Sequence, residues 1–485
     1  MRFYVVLRYT VLTFPVSAVF MLISGGISWM EQTADFAALL FSAAIALIMG
    51  IFPILFVPKV PHISDKEGLL IVVFSWLSAC VLGAIPYILY GGPFTLTNAF
   101  FESISGFTTT GSTILSDIES LPHGLLFWRS ATHWIGGIGI VIFALALLPF
   151  LGYSEVILFR SEVSSLAQKD FQMRARKATR VLVSVYLGLT LVETLSLMLF
   201  GMSLFDAITH SFGTVATGGF STKNYSVAAF NSIWIEGVII LFMILSGIHF
   251  AALFAAISGR SLKVLLRSSV VKLYLFLLFV GTLLSTFDLI FHQSLDPLQA
   301  LRESAFNLIS VGTSTGFATA DTSLWPGFSK LLLIYFALQC ASAGSTSGGI
   351  KVDRILLMLK SITRRLRQIM RPRAHVTLKI DGNIIDEEFT HHAVLYIVVY
   401  LLLVALGTGL ISFAGVSLEE AFSGSVAAAG NVGPGFGQIG SLGNYSGLSS
   451  FAKWVLSALM ILGRLEIYVL IVFLTPHQWR QTRAY

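Results

Sequence analysis

The sequence has little charge. Asp, Glu, Lys and Arg make up 12% of its 485 residues, about half the roughly 25% usual in soluble domains, and a water-facing surface for so long a chain cannot be built from so few. A soluble cytosolic enzyme is therefore excluded. Cysteine is scarcer still: Cys80 and Cys340 each lie inside an apolar run, where a thiol behaves as a small hydrophobe. Neither a disulfide framework nor a cysteine metal site is available. The histidines, among them His123, His133, His210, His391 and His392, show no metal spacing such as HExxH, so packed or interfacial side chains are expected. What the chain does have is 55% hydrophobic residues, including 39 Phe, 14 Tyr and 8 Trp, and a mean hydropathy of +0.82. Disorder is excluded by the same numbers, which leaves a polytopic membrane protein.

A helix needs about 20 mostly apolar residues to cross the hydrocarbon core. Ten such runs occur, near 9–30, 36–58, 69–90, 125–150, 181–201, 234–257, 272–292, 329–358, 393–415 and 452–474. The first, with Arg2 and Arg8 ahead of it and no small-residue cleavage site, reads as a retained helix. The net charge of +6 is a topology signal. With the N-terminus cytoplasmic, 25 of the 31 Lys and Arg fall on or near the inner side, leaving Arg129, Lys223, Arg302, Lys330, Lys453 and Arg464. This satisfies the positive-inside rule and places both termini in the cytoplasm. The arginines between Arg364 and Arg373 read as a lipid-headgroup and topology signal, with nucleic acid not expected as a partner.

Between several spans lie shorter apolar stretches, at 96–113, 204–222, 300–318 and 418–436, too short to cross and return. They align with one another. Ala99 leads to Thr109-Thr110-Gly111-Ser112-Thr113, Ala207 to Thr217-Gly218-Gly219-Phe220-Ser221, Ala305 to Ser314-Thr315-Gly316-Phe317, and Ala421 to Asn431-Val432-Gly433-Pro434-Gly435. The Ala-to-Gly distances are 12, 12, 11 and 12, and the glycines recur after 108, 97 and 117 residues. Gly218-Gly219 leaves a one-residue ambiguity, settled on Gly219 because Gly-Phe-Ser then matches Gly316-Phe317-Ala318.

The fold class is thus all-α polytopic: two N-terminal transmembrane helices (1–64) plus four pseudo-fourfold repeats of helix, re-entrant pore loop and helix, at 65–170, 171–265, 266–380 and 381–485. Irregular backbone at membrane depth is tolerated only where it lines a cavity or is buried in protein. Four such loops around one axis can offer carbonyl oxygens in place of an ion's hydration shell, and a short helix entering from outside points its negative end at that axis. A cation is the expected cargo.

Two features mark candidate gates. Gly344-Ser345-Thr346-Ser347-Gly348-Gly349 sits in the middle of the eighth run, and three glycines with three β-hydroxyl residues oppose helix propagation. A break is expected there, the alternative being a kinked helix packed through small residues. The stretch fails the phosphate-loop pattern, since Lys351 does not follow a glycine and no strand precedes it. Arg464 lies near the middle of the last run, where a charge is expensive and usually faces the protein interior or a water cavity. It opposes cation passage or, alternatively, pairs with an acid on another span; Glu466 is on a different helical face. Acidic residues near the outer ends of the short segments (Glu102, Asp117, Glu119, Asp206, Asp296, Glu303, Asp321, Glu419 and Glu420) could concentrate cations, but each singly reads as a helix N-terminal or solvated charge.

The fourfold glycine pattern, together with Ala343 to Lys351, resembles the Trk/Ktr/HKT superfamily of potassium transporters over nearly the whole chain, and the two extra N-terminal spans resemble its bacterial Trk branch. The resemblance implies a homodimer in the bacterial inner membrane with one pore per subunit, gated with the help of a cytosolic nucleotide-binding regulatory ring. It implies K+ as the transported ion, no organic cofactor in this chain, and a filter at Thr110, Gly111, Gly218, Gly219, Thr315, Gly316, Val432 and Gly433. A glycine in all four loops goes, in that family, with preference for potassium over sodium. The stretch Gly344 to Gly349 would be an intramembrane gate loop and Arg464 an electrostatic barrier below the filter. A secondary carrier on inverted repeats and an intramembrane enzyme are the competing classes; repeats of one direction argue against the first, and no nucleophile–base set supports the second. The connections 151–180 and 351–392, long and charged, are the expected docking surfaces for the cytosolic ring.

Overall fold

The computed structural model describes residues 2–465, apart from 59, 61–63, 148–170, 260, 262, 372–376 and 386. Two long helices come first, Phe3–Glu31 and Phe36–Phe56. Four units of one order follow: Asp65–Tyr90, Leu96–Phe107 and His123–Leu147; Phe171–Leu199, Leu204–Val215 and Ile233–Ser246; Ser269–Gln293, Pro297–Gly312 and Gly327–Leu338; Glu387–Phe413, Leu418–Gly430 and Ser450–Arg464. Each unit is a long helix, a short helix and a third helix. The sheet among the described residues is a hairpin pairing Lys379–Ile380 with Asn383–Ile384.

Composition explains which faces pack. In the N-terminal pair most buried positions are small, Ser17, Ser24, Gly25 and Ser28 on one helix and Ala38, Ser42, Ala43 and Gly50 on the other, with Phe14, Met21 and Leu39 among them, a close approach driven by van der Waals contact rather than by the hydrophobic effect, which lipid does not supply. The opposite faces carry large exposed apolar side chains, among them Phe41, Phe52 and Phe56 here and Phe276, Phe279 and Phe413 elsewhere. An aqueous surface would not tolerate such a continuous apolar exterior; a hydrocarbon surround requires it. Among the described residues six helices are long and apolar enough to cross a membrane, and the chain is an all-helical, multi-span membrane protein.

The short helices begin at polar caps. Thr95, Ser203, Asp296 and Ser417 each accept a backbone N–H of their own first turn, satisfying donors that a helix start leaves free. From there each short helix runs inward to become almost fully buried.

Two of the ten runs are broken, one of them without warning and the other where a break is expected. The run 234–257 forms Ile233–Ser246 and Phe250–Ser258, bent by 104°. The cause is tertiary: the Gly247 carbonyl accepts the Ser342 N–H at 3.0 Å, no Cβ fits at Gly247 between Tyr274 and Ala341, and the His249 side chain caps the second piece by accepting the Ala251 N–H at 3.1 Å. The run 329–358 breaks as its glycines require, into Gly327–Leu338 and Val352–Met370. Here the irregular stretch spans 339–351, wider than the six residues expected, and its second helix continues to Met370 because its amphipathic pattern continues. The fourth run continues beyond Leu147 and the tenth beyond Leu465 into residues outside the described set, as does much of the connection 151–180.

Candidate cation pathway

All four short helices end the same way. Thr109, Thr217, Ser314 and Asn431 take left-handed φ of 52°, 54°, 57° and 53°, and two residues on, Gly111, Gly219, Gly316 and Gly433 take φ of 86°, 78°, 83° and 99°. Between them Thr110, Gly218, Thr315 and Val432 donate N–H groups to Ser105, Gly213, Ser310 and Ala427 carbonyls at 2.7–2.9 Å. This is the helix ending in which a left-handed residue lets the following N–H reach back over the last turn. The repeated register falls on Gly219, with Gly218 in the place of Thr110, Thr315 and Val432.

The glycines also touch one another's loops in a closed sequence. A Cβ built on Gly111 would strike the Gly218 carbonyl, one on Gly219 the Thr315 carbonyl, one on Gly316 the Val432 carbonyl, and one on Gly433 the Thr110 carbonyl. Each loop therefore packs backbone to backbone on the next, and the fourth on the first. Left-handed φ and absent Cβ are both demanded at these four positions. The eight residues Thr110, Gly111, Gly218, Gly219, Thr315, Gly316, Val432 and Gly433 lie together in this ring, at the negative ends of four buried helices.

Polar side chains fasten the ring from behind. The hydroxyls of Thr108 and Thr110 bond at 2.8 Å, as do those of Thr313 and Thr315. Ser112 Oγ donates to the Gly433 carbonyl at 3.1 Å and Tyr445 Oη to the same oxygen at 2.6 Å. Burial pushes the Tyr445 phenol up to about 12, which keeps it a donor. Asn431 Nδ2 donates to Thr110 Oγ1 at 3.0 Å and to the Met460 carbonyl at 2.9 Å. His133 stacks on Phe220 at 4.0 Å between ring centroids and lies where a Gly218 side chain would go.

The stretch 339–351 packs on the inner ends of the same helices. Thr346 Oγ1 donates to the Val215 carbonyl at 3.0 Å, and the Gly348 N–H to Ser314 Oγ at 3.1 Å. Gly344 and Gly349 take φ of 72° and 65°, the first against the His249 ring. Ser345 Oγ donates to the Ser342 carbonyl at 2.6 Å and stands 3.1 Å from Ser347 Oγ, and Lys351 Nζ donates to the Ser347 carbonyl. The broken second-unit helix holds the stretch by two backbone bonds, Ser342 N–H to Gly247 and Phe250 N–H to Gly344. Arg464, 2% exposed, donates through Nη1 to the Thr346 carbonyl at 2.6 Å and through Nη2 to the Gly136 carbonyl at 3.4 Å. No carboxylate pairs with it among the described residues, and Glu466 lies outside them.

Of the ion pairs between helices that sequence reasoning missed, one lies beside the ring. Glu102, read as a helix N-terminal or solvated acid, is fully buried and accepts Arg129 Nε at 2.6 Å. Partners 27 residues apart on different helices leave no local signal, although Glu102 stands nine residues before Gly111, a position the repeat alignment could have compared across units.

The profile of a protein family described as "TrkH: Cation transport protein" matches residues 48–480. The chain is 38% identical over 432 residues to the Trk system potassium uptake protein TrkH of Escherichia coli K12, covering 87% of each, and 32% identical over 422 residues to TrkG of the same strain, covering 86% of each. Its fold matches the crystal structure of the potassium transporter TrkH from Vibrio parahaemolyticus with a TM-score of 0.90 and 31% identity, covering 99% of this chain and 100% of that one. A left-handed glycine recurring in four loops, in a helical membrane chain matched over most of its length by these transporters, makes this protein a member of the TrkH family of cation transport proteins, not an enzyme.

Proposed function

We propose that the protein takes up potassium across the bacterial inner membrane through the ring of four loops. The observation that carries the reading is the closed sequence of glycine-to-carbonyl approaches, each at the C-terminal end of a buried short helix. Carbonyl oxygens replace hydration water around a weakly hydrated cation, and about half a negative charge at each helix end favours a positive ion between them. The potassium uptake named for the E. coli relatives supports the choice of ion.

In this reading the stretch Gly344 to Gly349 is the gate loop and Arg464 the barrier below the filter. A unit charge passing about 6 Å from a guanidinium meets about 3 kcal/mol at an effective dielectric near 20, about a hundredfold in rate. The remaining parts belong to the same proposal: ten transmembrane helices, both termini cytoplasmic, a homodimer, and a cytosolic nucleotide-binding regulator docking on 151–180 and 351–392.

The test is potassium or rubidium flux into liposomes holding the purified full chain, with sodium and lithium as competitors. Potassium-selective flux that loses selectivity in Gly316→Ser supports the reading. Flux absent even after the cytosolic partner is supplied, from folded protein, overturns it in favour of an organic-solute carrier.

A further inference from the structure

Nine residues before the ring glycine in three units, and ten before it in the fourth, a side chain of the short helix braces the chain just beyond that glycine. In unit one Glu102 accepts Thr113 Oγ1 at 2.9 Å and the Ile114 N–H at 3.0 Å. In unit two His210 Nδ1 bonds the Asp206 carbonyl, which leaves Nε2 of the neutral ring to accept Ser221 Oγ at 2.9 Å. In unit three Asn307 donates to Thr319 Oγ1 at 3.0 Å and accepts the Thr319 N–H at 3.2 Å. Unit four has Gly424 at this position, and the adjacent Ser423 Oγ accepts the Phe436 N–H at 2.9 Å. The brace recurs in four chemistries, and only the first is an ion pair.

Neutral side chains suffice for bracing in three units, so the charge in the first needs a separate reason. Burying two ions is expensive, and a buried pair is weak evidence for stability. Arg129, 2% exposed, does more than neutralise Glu102. Its Nε holds Glu102 at 2.6 Å while Nη1 donates to the Ser221 carbonyl at 2.9 Å, and its guanidinium carbon lies 3.6 Å from the centre of the Phe220 ring. One rigid planar group is thus fastened to loop one through Glu102 and to loop two through Ser221 and Phe220, the residues immediately following Gly219. A lysine ammonium has no such fork.

We propose that Glu102 and Arg129 are a positioning pair that fixes the spacing of loops one and two, and through it the discrimination of potassium from sodium. The proposal rests on the reading of the four loops as the filter. Outer groups that orient the ligands of a bound ion typically change affinity or activity about ten- to a hundredfold when altered.

The experiment measures the potassium-to-sodium flux ratio of the full chain in liposomes for Arg129→Lys, for the double variant Glu102→Gln with Arg129→Gln, and for two reference variants. Arg302→Lys alters an outer ion pair, Arg302 with Glu236, which among the described residues makes no side-chain bond to the loops, and Gly316→Ser alters the ring itself. The ratio is expected to fall about tenfold in Arg129→Lys and in the double variant, with total cation flux retained, and to stay unchanged in Arg302→Lys. The double variant leaves no unpaired buried charge, so it keeps the test open where the lysine variant fails to fold. A wild-type ratio in folded Arg129→Lys and the double variant, with Gly316→Ser altered, makes the pair merely structural and overturns the proposal. A wild-type ratio in Gly316→Ser as well overturns the filter reading beneath it.

Discussion

The α-carbon of Gly433 lies so close to the Thr110 carbonyl that no Cβ fits between them. The contact joins the last loop to the first across most of the chain, and it makes the ring a closed object in which each loop is both support and load. Substituting any one glycine pushes on its neighbour's backbone.

Gly219→Ala and Gly218→Ala therefore have different remedies. At Gly219 the added methyl meets the Thr315 carbonyl and the backbone holds φ at 78°; at Gly218 it meets the His133 ring. Left-handed φ costs a non-glycine residue roughly 1–2 kcal/mol. His133→Ala is expected to restore potassium flux to Gly218→Ala and to do nothing for Gly219→Ala, as read by rubidium uptake in liposomes. Rescue of both, or of neither, contradicts the register.

Arg464→Ala is expected to raise flux by up to about a hundredfold, the rate equivalent of removing a barrier near 3 kcal/mol, with selectivity preserved because the ring is untouched. Stopped-flow uptake at limiting protein density measures it. Unchanged flux would assign the residue to packing.

Thr346→Val removes the hydroxyl bonded to the Val215 carbonyl. One such hydrogen bond contributes about 1 kcal/mol, so the stretch 339–351 is expected to open about fivefold more often, seen as raised open probability in planar bilayers. A fall in open probability would contradict a closing role for this bond.

Tyr445 gives a pH signature. Its phenol, ordinarily near 10, is pushed up by burial to about 12, so the neutral donor is favoured in the folded chain. Stability from this group is complete below about pH 10 and declines as pH rises from about 10 to about 12. Thermal unfolding of wild type against Tyr445→Phe is expected to show a gap, about 1 kcal/mol, that does not vary between pH 6 and 9. A gap that closes within that range would place the titration elsewhere.

Much of this architecture was legible because repetition multiplies weak signals. One Thr-Gly pair means little in a chain with 42 glycines, but four at matched spacing located the four short helices, and three clustered glycines announced the break after Leu338. The bend at Gly247 was not legible. It sits in an apolar run without proline, where Ser246, Gly247 and His249 are too weak a signal to mark a break, and a bond from Ser342, almost a hundred residues on, accompanies it. Arg129 with Glu102 was hidden for the same reason: each residue alone looked like an ordinary charge, and only the packed helices bring them to 2.6 Å.

Arg464 and Thr346 gather the whole molecule at one point. The arginine belongs to the fourth unit, its two acceptors are Gly136 of the first and Thr346 of the third, and Thr346 in turn bonds Val215 of the second. A fastening shared by all four quarters cannot be loosened by quarters. If conduction runs through this structure it switches as a unit, so each pore of the proposed dimer should show one open level and no ladder of sublevels.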